Sequence, residues 1–399
     1  DIAVAIGLIA LIAAKPGFGR PNLMKFLVFV IGGVIGFTLL RGMLVNPFLA
    51  FYSFRVRAVP LLFLFYVTFS RTRLEPVSSS QPWLVLWIGI ALVVFCSRSV
   101  MGPTLFMAHD SPSYLFPFIS GELRVVNNET ILVFGLVLTM FLDNCLSTTN
   151  FETRRFYLFF LVALFVVIVL SRQRTATAAS LAGLATLFLA NYKFLRRNKV
   201  VLIILACLAF IAVVILSTGL LPVLLLMLPE QFQRSIEKFA TLNARENVWN
   251  VAIGWRFVNW DIVRQLFGPP AGEPLDLVTS NGSLWGHSLH SQYIATIMNY
   301  GLVGAIAWAA LVIYGIIQAF RALRSGQPNR VGLSPRVVLS WFAILLVFGI
   351  GYEWHDGAGF FMAMALAGWP SNKRRRKQKA PSARDDSLAD SQAIVVGPG

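Results

Sequence analysis

Apolar residues gather in long runs near 2–14, 23–40, 58–70, 83–97, 130–146, 156–171, 175–191, 200–220, 290–319, 337–352 and 357–369, parted by short polar segments. A helix needs about 20 apolar residues to cross a bilayer, fewer at the thin limit. The run at 2–14 is too short for a secure span. The pattern predicts an all-α polytopic integral membrane protein of about 11–12 transmembrane helices. Four regions follow: an N-terminal helix bundle over 1–220, a large loop over 221–289, C-terminal helices over 290–370, and a basic tail over 371–399. No internal repeat or inverted symmetry is visible.

Composition sharpens this picture. Of 399 residues, 57% are hydrophobic and 13% charged, and the mean hydropathy is +0.70. A soluble domain carries about 25% charged residues. A soluble enzyme of this size would lack the polar surface it must show to water. Function then has to be read from the few polar residues that interrupt the apolar runs.

The formal net charge is +16. In a soluble chain such a balance would point to nucleic acid. Here the basic residues sit in short loops and the tail, where the positive-inside rule accounts for them. Lys193, Arg196, Arg197 and Lys199 form one such loop, and Arg321, Arg324, Arg330 and Arg336 another. The densest run is Lys373–Lys377, in a polar tail with a disordered composition. Assigning these three to the cytoplasm places 15–25, 71–82 and 147–155 there as well. Residues 98–129, 171–175 and 221–289 fall outside, and so do 41–57, although Arg41, Arg55 and Arg57 lie there. The runs at 337–352 and 357–369 become a hairpin with Tyr352-Glu353-Trp354-His355-Asp356 at its outer tip. Counting back puts the N-terminus outside, with one further helix expected upstream of Asp1. The cysteines, Cys96, Cys145 and Cys207, show no metal or disulfide spacing.

All four histidines, His109, His287, His290 and His355, fall on the outer side in this topology. Three outer segments combine polar and apolar residues in ways that suit chemistry. Ser171-Arg172-Gln173-Arg174-Thr175 is a tight turn whose arginines require water, a cavity or an anionic partner, and Arg suits bidentate phosphate recognition. Leu242-Asn243-Ala244-Arg245-Glu246-Asn247-Val248-Trp249 lies in the large loop and is followed, after a helix-like stretch, by Leu266-Phe267-Gly268-Pro269-Pro270. An amphipathic helix with Trp249, Trp255 and Trp260 at the membrane surface would also explain that loop. Gly286-His287-Ser288-Leu289-His290-Ser291-Gln292-Tyr293 runs into a long apolar helix. Ser288 is a plausible N-cap, which would put His290 in the first turn, where the helix N-terminus favours anions.

Taken together and in order, these segments resemble the O-antigen ligase and polymerase superfamily of membrane glycosyltransferases. An Arg-bearing outer turn (Arg172, Arg174), a GR…W segment (Ala244-Arg245 with Trp249), a G-x-G (Gly268) and an HN…G…G run (His290, Gly301, Gly304) occupy the matching places over 156–320. Ser291 replaces the usual Asn, Ala244 the Gly before the Arg, and Pro270 the second Gly, as in a divergent subfamily. The resemblance implies a GT-C-like fold with a helical periplasmic loop domain in the bacterial inner membrane. It implies an undecaprenyl-diphosphate-linked glycan as donor and the lipid A core oligosaccharide as acceptor. Arg172, Arg174 and Arg245 would clamp the diphosphate, with His290 as base and His287, Glu353, His355 and Asp356 in support. No cofactor or metal is expected, since an Asp-x-Asp motif and a P-loop are both absent.

A polymerase using the same donor is the nearest alternative. A polysaccharide or lipid flippase is the alternative from another class, and a scaffold without a site the last. The bilayer is the expected surrounding partner, and nucleic acid is not. The topology makes a direct prediction: green fluorescent protein fused after Lys377 fluoresces, whereas alkaline phosphatase fused there is inactive. Active phosphatase at that position would reverse the assignment.

Overall fold

The computed structural model describes residues 23–69, 89, 128–170, 174–191, 248–273, 277–278, 284–285, 289, 291–352 and 356–368. Among them the chain is helical apart from one two-residue antiparallel ladder, β1 (Leu277–Val278) with β2 (Leu284–Trp285). The helices are α1 (Leu23–Val45), α2 (Pro47–Phe69), α3 (Asn128–Ser147), α4 (Phe151–Leu170), α5 (Arg174–Ala190), a π-helical stretch (Asn250–Phe257), α6 (Ile262–Phe267), α7 (Gln292–Leu323), α8 (Pro335–Gly351) and α9 (Asp356–Ala365). Three of them, α1, α3 from Thr130 and α7, are long and apolar enough to cross a membrane. That is an architecture suited to a helical membrane protein, because a helix satisfies its own backbone polar groups where no water can. The apolar runs at 2–14, 83–97 and 200–220 and the tail after 370 lie outside the described residues, save Gly89.

Helix ends follow local chemistry. Pro47 opens α2, where its missing N–H costs nothing. Asn46 stands just before it, and its Oδ1 accepts from Leu49 N at 3.2 Å. The expected outer loop over 41–57 is therefore corrected to the single residue Asn46. Arg55 and Arg57 interrupt the apolar run without interrupting the helix. Ser334 starts α8 in the same manner: its Oγ accepts from Val337 N at 3.2 Å, with Pro335 next.

Helix α8 is the packing centre. It lies against α3, α5, α7 and α9. Trp341, Phe342 and Phe348 are fully buried on it. Glycines permit the close approaches, as is usual between membrane helices. Gly183 of α5 faces the Ser340 carbonyl and Ile344, and Gly315 of α7 faces Phe342 and Leu366. The Trp341 indole N–H donates to Leu136 O on α3 at 2.9 Å, so its one polar atom is satisfied within the core.

The two ends of this bundle differ. At one end the buried carboxylate of Asp143 (α3) forms an ion pair with Arg336, Nε to Oδ1 at 2.9 Å, and its Oδ2 accepts from the Ser334 hydroxyl at 2.6 Å, both partners at the start of α8. Asn329 donates from Nδ2 to Met364 O at 3.0 Å and accepts from Leu333 N at 2.9 Å. Arg330 N donates to Gly368 O at 3.0 Å. Lys25 sits over the Phe69 ring at 5.8 Å. These are the segments that the lysine and arginine distribution groups on one side. The opposite end gathers 38–50, 261–273, Leu289, 291–301 and the end of α8.

A buried carboxylate stripped of its cation is costly. Arg336→Ala is expected to lower stability by about 1–3 kcal/mol, with Arg336 partly exposed. Asp143→Asn combined with Arg336→Ala should cost less than the sum of the single changes. Thermal unfolding of the three variants in detergent checks this.

Candidate functional site

The end opposite Asp143 is organised by a break in α7. The helix runs through 32 residues, but Gly301 has φ 63° and ψ −169°. Glycine reaches positive φ without the penalty a Cβ brings. Space demands glycine too, because a Cβ at 301 would run into the Leu266 carbonyl and Phe267 N, at the end of α6. The reverse is true across the contact. Gly268, with φ 83°, lies against the Asn299 carbonyl and Tyr300 N, so a Cβ there would collide with α7. Two backbones thus cross at side-chain-free points, one immediately after α6 and the other at the break. The expected continuous helix over 290–319 is corrected accordingly to a short piece before Gly301 and a long piece after it.

Helix α1 fastens the same crossing. Arg41 donates from Nη1 to Gly268 O at 2.8 Å. Ala271 N donates to Thr38 O at 2.9 Å, and Gly42 lets the Ala271 backbone pass close by. Gly272, at φ 84°, lies against the Leu49–Ala50 backbone of α2. The Phe37 and Phe267 rings meet edge-on with centroids 5.2 Å apart. The sequence had left Arg41 as an exception to the charge rule. Its signal was a lone cation four residues from the end of an apolar helix, where an acceptor must be found for it.

The loop carries its own charge pairs. Asp261 caps α6, with Oδ1 accepting from Arg264 N at 3.0 Å. Arg264 also reaches Glu273 at 3.2 Å and Asp261 at 3.3 Å. The backbone N–H of Arg264 holds the Asp261 carboxyl below its ordinary pKa, and the Arg264 charge adds to this. The cap is therefore present above the ordinary carboxylate pKa and is lost only as pH falls through the lowered value. Trp260 is buried with Phe257, at 5.6 Å between centroids, and Trp249 donates to Leu289 O at 2.8 Å. Of the three tryptophans expected at a membrane surface, only Trp255 is exposed. Trp249 and Trp260 serve the loop's interior instead.

The start of α7 also differs from expectation. Ser291, not Ser288, is the N-cap residue: it is extended at φ −153° and ψ 125°, and its carbonyl accepts from Ala295 N at 2.9 Å. The helix thus begins at Gln292, whereas Ser288 and His290 themselves lie outside the described residues. Ser291 Oγ is committed elsewhere, donating to Gly349 O of α8 at 3.4 Å. Two residues on, the Tyr293 hydroxyl donates to Leu346 O at 2.7 Å.

Of the candidate residues, Arg172, Arg245, His287, His290, Glu353 and His355 lie outside the described residues. Arg174 opens α5 and Asp356 opens α9. Their described neighbours, however, are joined to one another. Thr175, beside Arg174, packs on Gly351 so closely that a Cβ at 351 would stand 2.9 Å from its Oγ1. Gly351 belongs to the end of α8, where Gly349 accepts from Ser291, beside His290. Leu289, on the other side of His290, accepts from Trp249, four residues after Arg245. Four segments, far apart in sequence, are linked by these three contacts. Among the described residues no three His, Cys, Asp or Glu side chains gather as a metal site.

The chain matches no family model and no curated protein.

Gly301 supplies a test of the crossing. Gly301→Ala combines positive-φ strain with backbone overlap and is expected to cost about 1–3 kcal/mol. Limited proteolysis should then cut within 261–273 faster than in the wild type, while Gly33→Ala, which meets open space, leaves the rate unchanged.

Proposed function

We propose that this protein is a polyprenyl-diphosphate-dependent glycosyltransferase of the O-antigen ligase type, acting at the periplasmic face of the bacterial inner membrane. The donor is an undecaprenyl-diphosphate-linked glycan and the acceptor a hydroxyl of the lipid A core. The observation that carries this reading is the linkage of Thr175 to Gly351, Gly349 to Ser291, and Leu289 to Trp249 at one end of the bundle. The residues beside these contacts are the arginines and histidines that the chemistry requires. Support comes also from the place of the break in α7. The part after it, 302–323, extends about 33 Å at ~1.5 Å per residue, enough to cross the hydrocarbon by itself. The break thus belongs at the edge of the span, as interfacial chemistry needs. A transporter would carry it near the midplane.

In the reaction, His290 takes the proton of the acceptor hydroxyl as its oxygen attacks the anomeric carbon. The bond from that carbon to the diphosphate oxygen breaks, and the electron pair leaves with the diphosphate. Arg172, Arg174 and Arg245 offset the charge that grows there. A single displacement inverts the configuration. His287, Glu353, His355 and Asp356 hold the base and the acceptor in place. The arginines supply the charge that a metal would otherwise bring, so the reaction needs no added divalent ion.

Reconstitution tests this. Full-length protein in liposomes with lipid-linked glycan and lipid A core should yield the joined product, unchanged by EDTA. Arg172→Ala, Arg245→Ala and His290→Ala should each reduce the rate by about 10²-fold or more. Three active variants would overturn the reading. Longer lipid-linked chains formed from donor alone would make the protein a polymerase.

A further inference from the structure

The loop at the Gly301 end buries one set of apolar residues and leaves another bare. Val248, Ala252, Trp260, Leu289, Ala295 and Met298 form a small core of their own. Outside that core, Trp255, Val258 and Ile262 remain 62%, 62% and 65% exposed. These three stand at spacings of three and four residues, across the π-helical stretch, the turn after it and the start of α6. Two charged residues, Arg256 and Asp261, lie among them in the chain, and Asp261 is paired with Arg264, which also reaches Glu273.

Their position says what covers them. Helix α6 packs on α7 and touches α1, and Phe267 at its end meets Phe37 of α1. Both helices are long and apolar enough to span a bilayer. Each presents bare apolar side chains close to this contact, Leu40 and Leu44 on α1, Leu302 and Ile306 on α7. The exposed loop residues therefore continue a lipid-facing surface at its end, where Trp is the residue most suited to the boundary between headgroups and acyl chains.

We infer that Trp255, Val258 and Ile262 form a membrane-dipping edge, seated in the headgroup–acyl boundary of the bilayer and holding the loop against the leaflet. This inference rests on the membrane architecture alone and is independent of the chemistry proposed above.

Spin labels read it directly. Full-length protein with Cys96, Cys145 and Cys207 replaced by Ala would carry a single label at Val258→Cys or Ile262→Cys, in liposomes of phosphatidylethanolamine and phosphatidylglycerol. Leu40→Cys serves as the lipid-facing reference and Ser325→Cys as the aqueous one. The inference expects oxygen to relax the 258 and 262 labels several-fold more than a water-soluble nickel chelate does, as at 40 and opposite to 325. Faster relaxation by the chelate would place the edge in water and overturn the inference. Labels shielded from both agents would mean that a second copy or another protein covers the edge, which overturns it equally. If the cysteine-free chain does not fold, brominated lipids give the same answer in the native one. Trp255→Phe should reduce the lipid-quenched share of tryptophan emission, and an unchanged share would reject the inference.

Discussion

Everything at the end of the bundle opposite Asp143 depends on two peptide backbones crossing without side chains between them. Gly268 and Gly301 each occupy left-handed conformations and each leaves the room that the other's chain takes. The crossing ends α6, breaks α7 and sets how far the helix reaches before it turns toward Ser291. Arg41 then ties the carbonyl of Gly268 to α1. One contact thereby fixes the loop to two bilayer-length helices. Neither hydrophobic pattern nor charge could do this, because both act over broad surfaces, whereas an approach of this kind is set atom by atom.

Much of the helical order was legible beforehand. The runs at 130–146, 156–171 and 175–191 became α3, α4 and α5 within a few residues, since a continuous apolar stretch leaves the backbone little choice but to bond internally. The hairpin over 337–369 also appeared, as α8 and α9. What the pattern missed were places where a polar residue does not end a helix. Arg55 and Arg57 lie within α2 because its true boundary is set by Asn46 and Pro47, which are local signals stronger than hydropathy. Ser288 and Ser291 are equally good caps on paper. Only the partners of α7 on α8 decide between them.

The candidate residues were legible as types rather than as an arrangement. A cluster of histidines and arginines on one side of a topology gives no distances. What sequence could not supply is the linkage through Thr175, Gly349, Gly351 and Leu289, residues with no chemistry of their own. Their contacts lie 40 residues apart in one case and 58 in another, beyond the reach of any local pattern. Gly268 and Gly301 show the same limit from the other direction. Both stood in segments that the sequence singles out, but the reason for them is steric and is visible only where the chains meet.

The Asp143 clamp carries a consequence for how the protein is made. Its hydroxyl partner, Ser334, comes 191 residues later in the chain. At about 5–20 residues per second, synthesis of that interval takes roughly 10–40 s. Helix α3 thus enters the membrane long before the cation and hydroxyl that its carboxylate requires have been synthesised. During that wait the carboxylate must stay near the lipid headgroups or borrow a transient partner. Assembly of the bundle is therefore gated by a late event near the C-terminus, and the arrival of α8 is the step that allows α3 to settle.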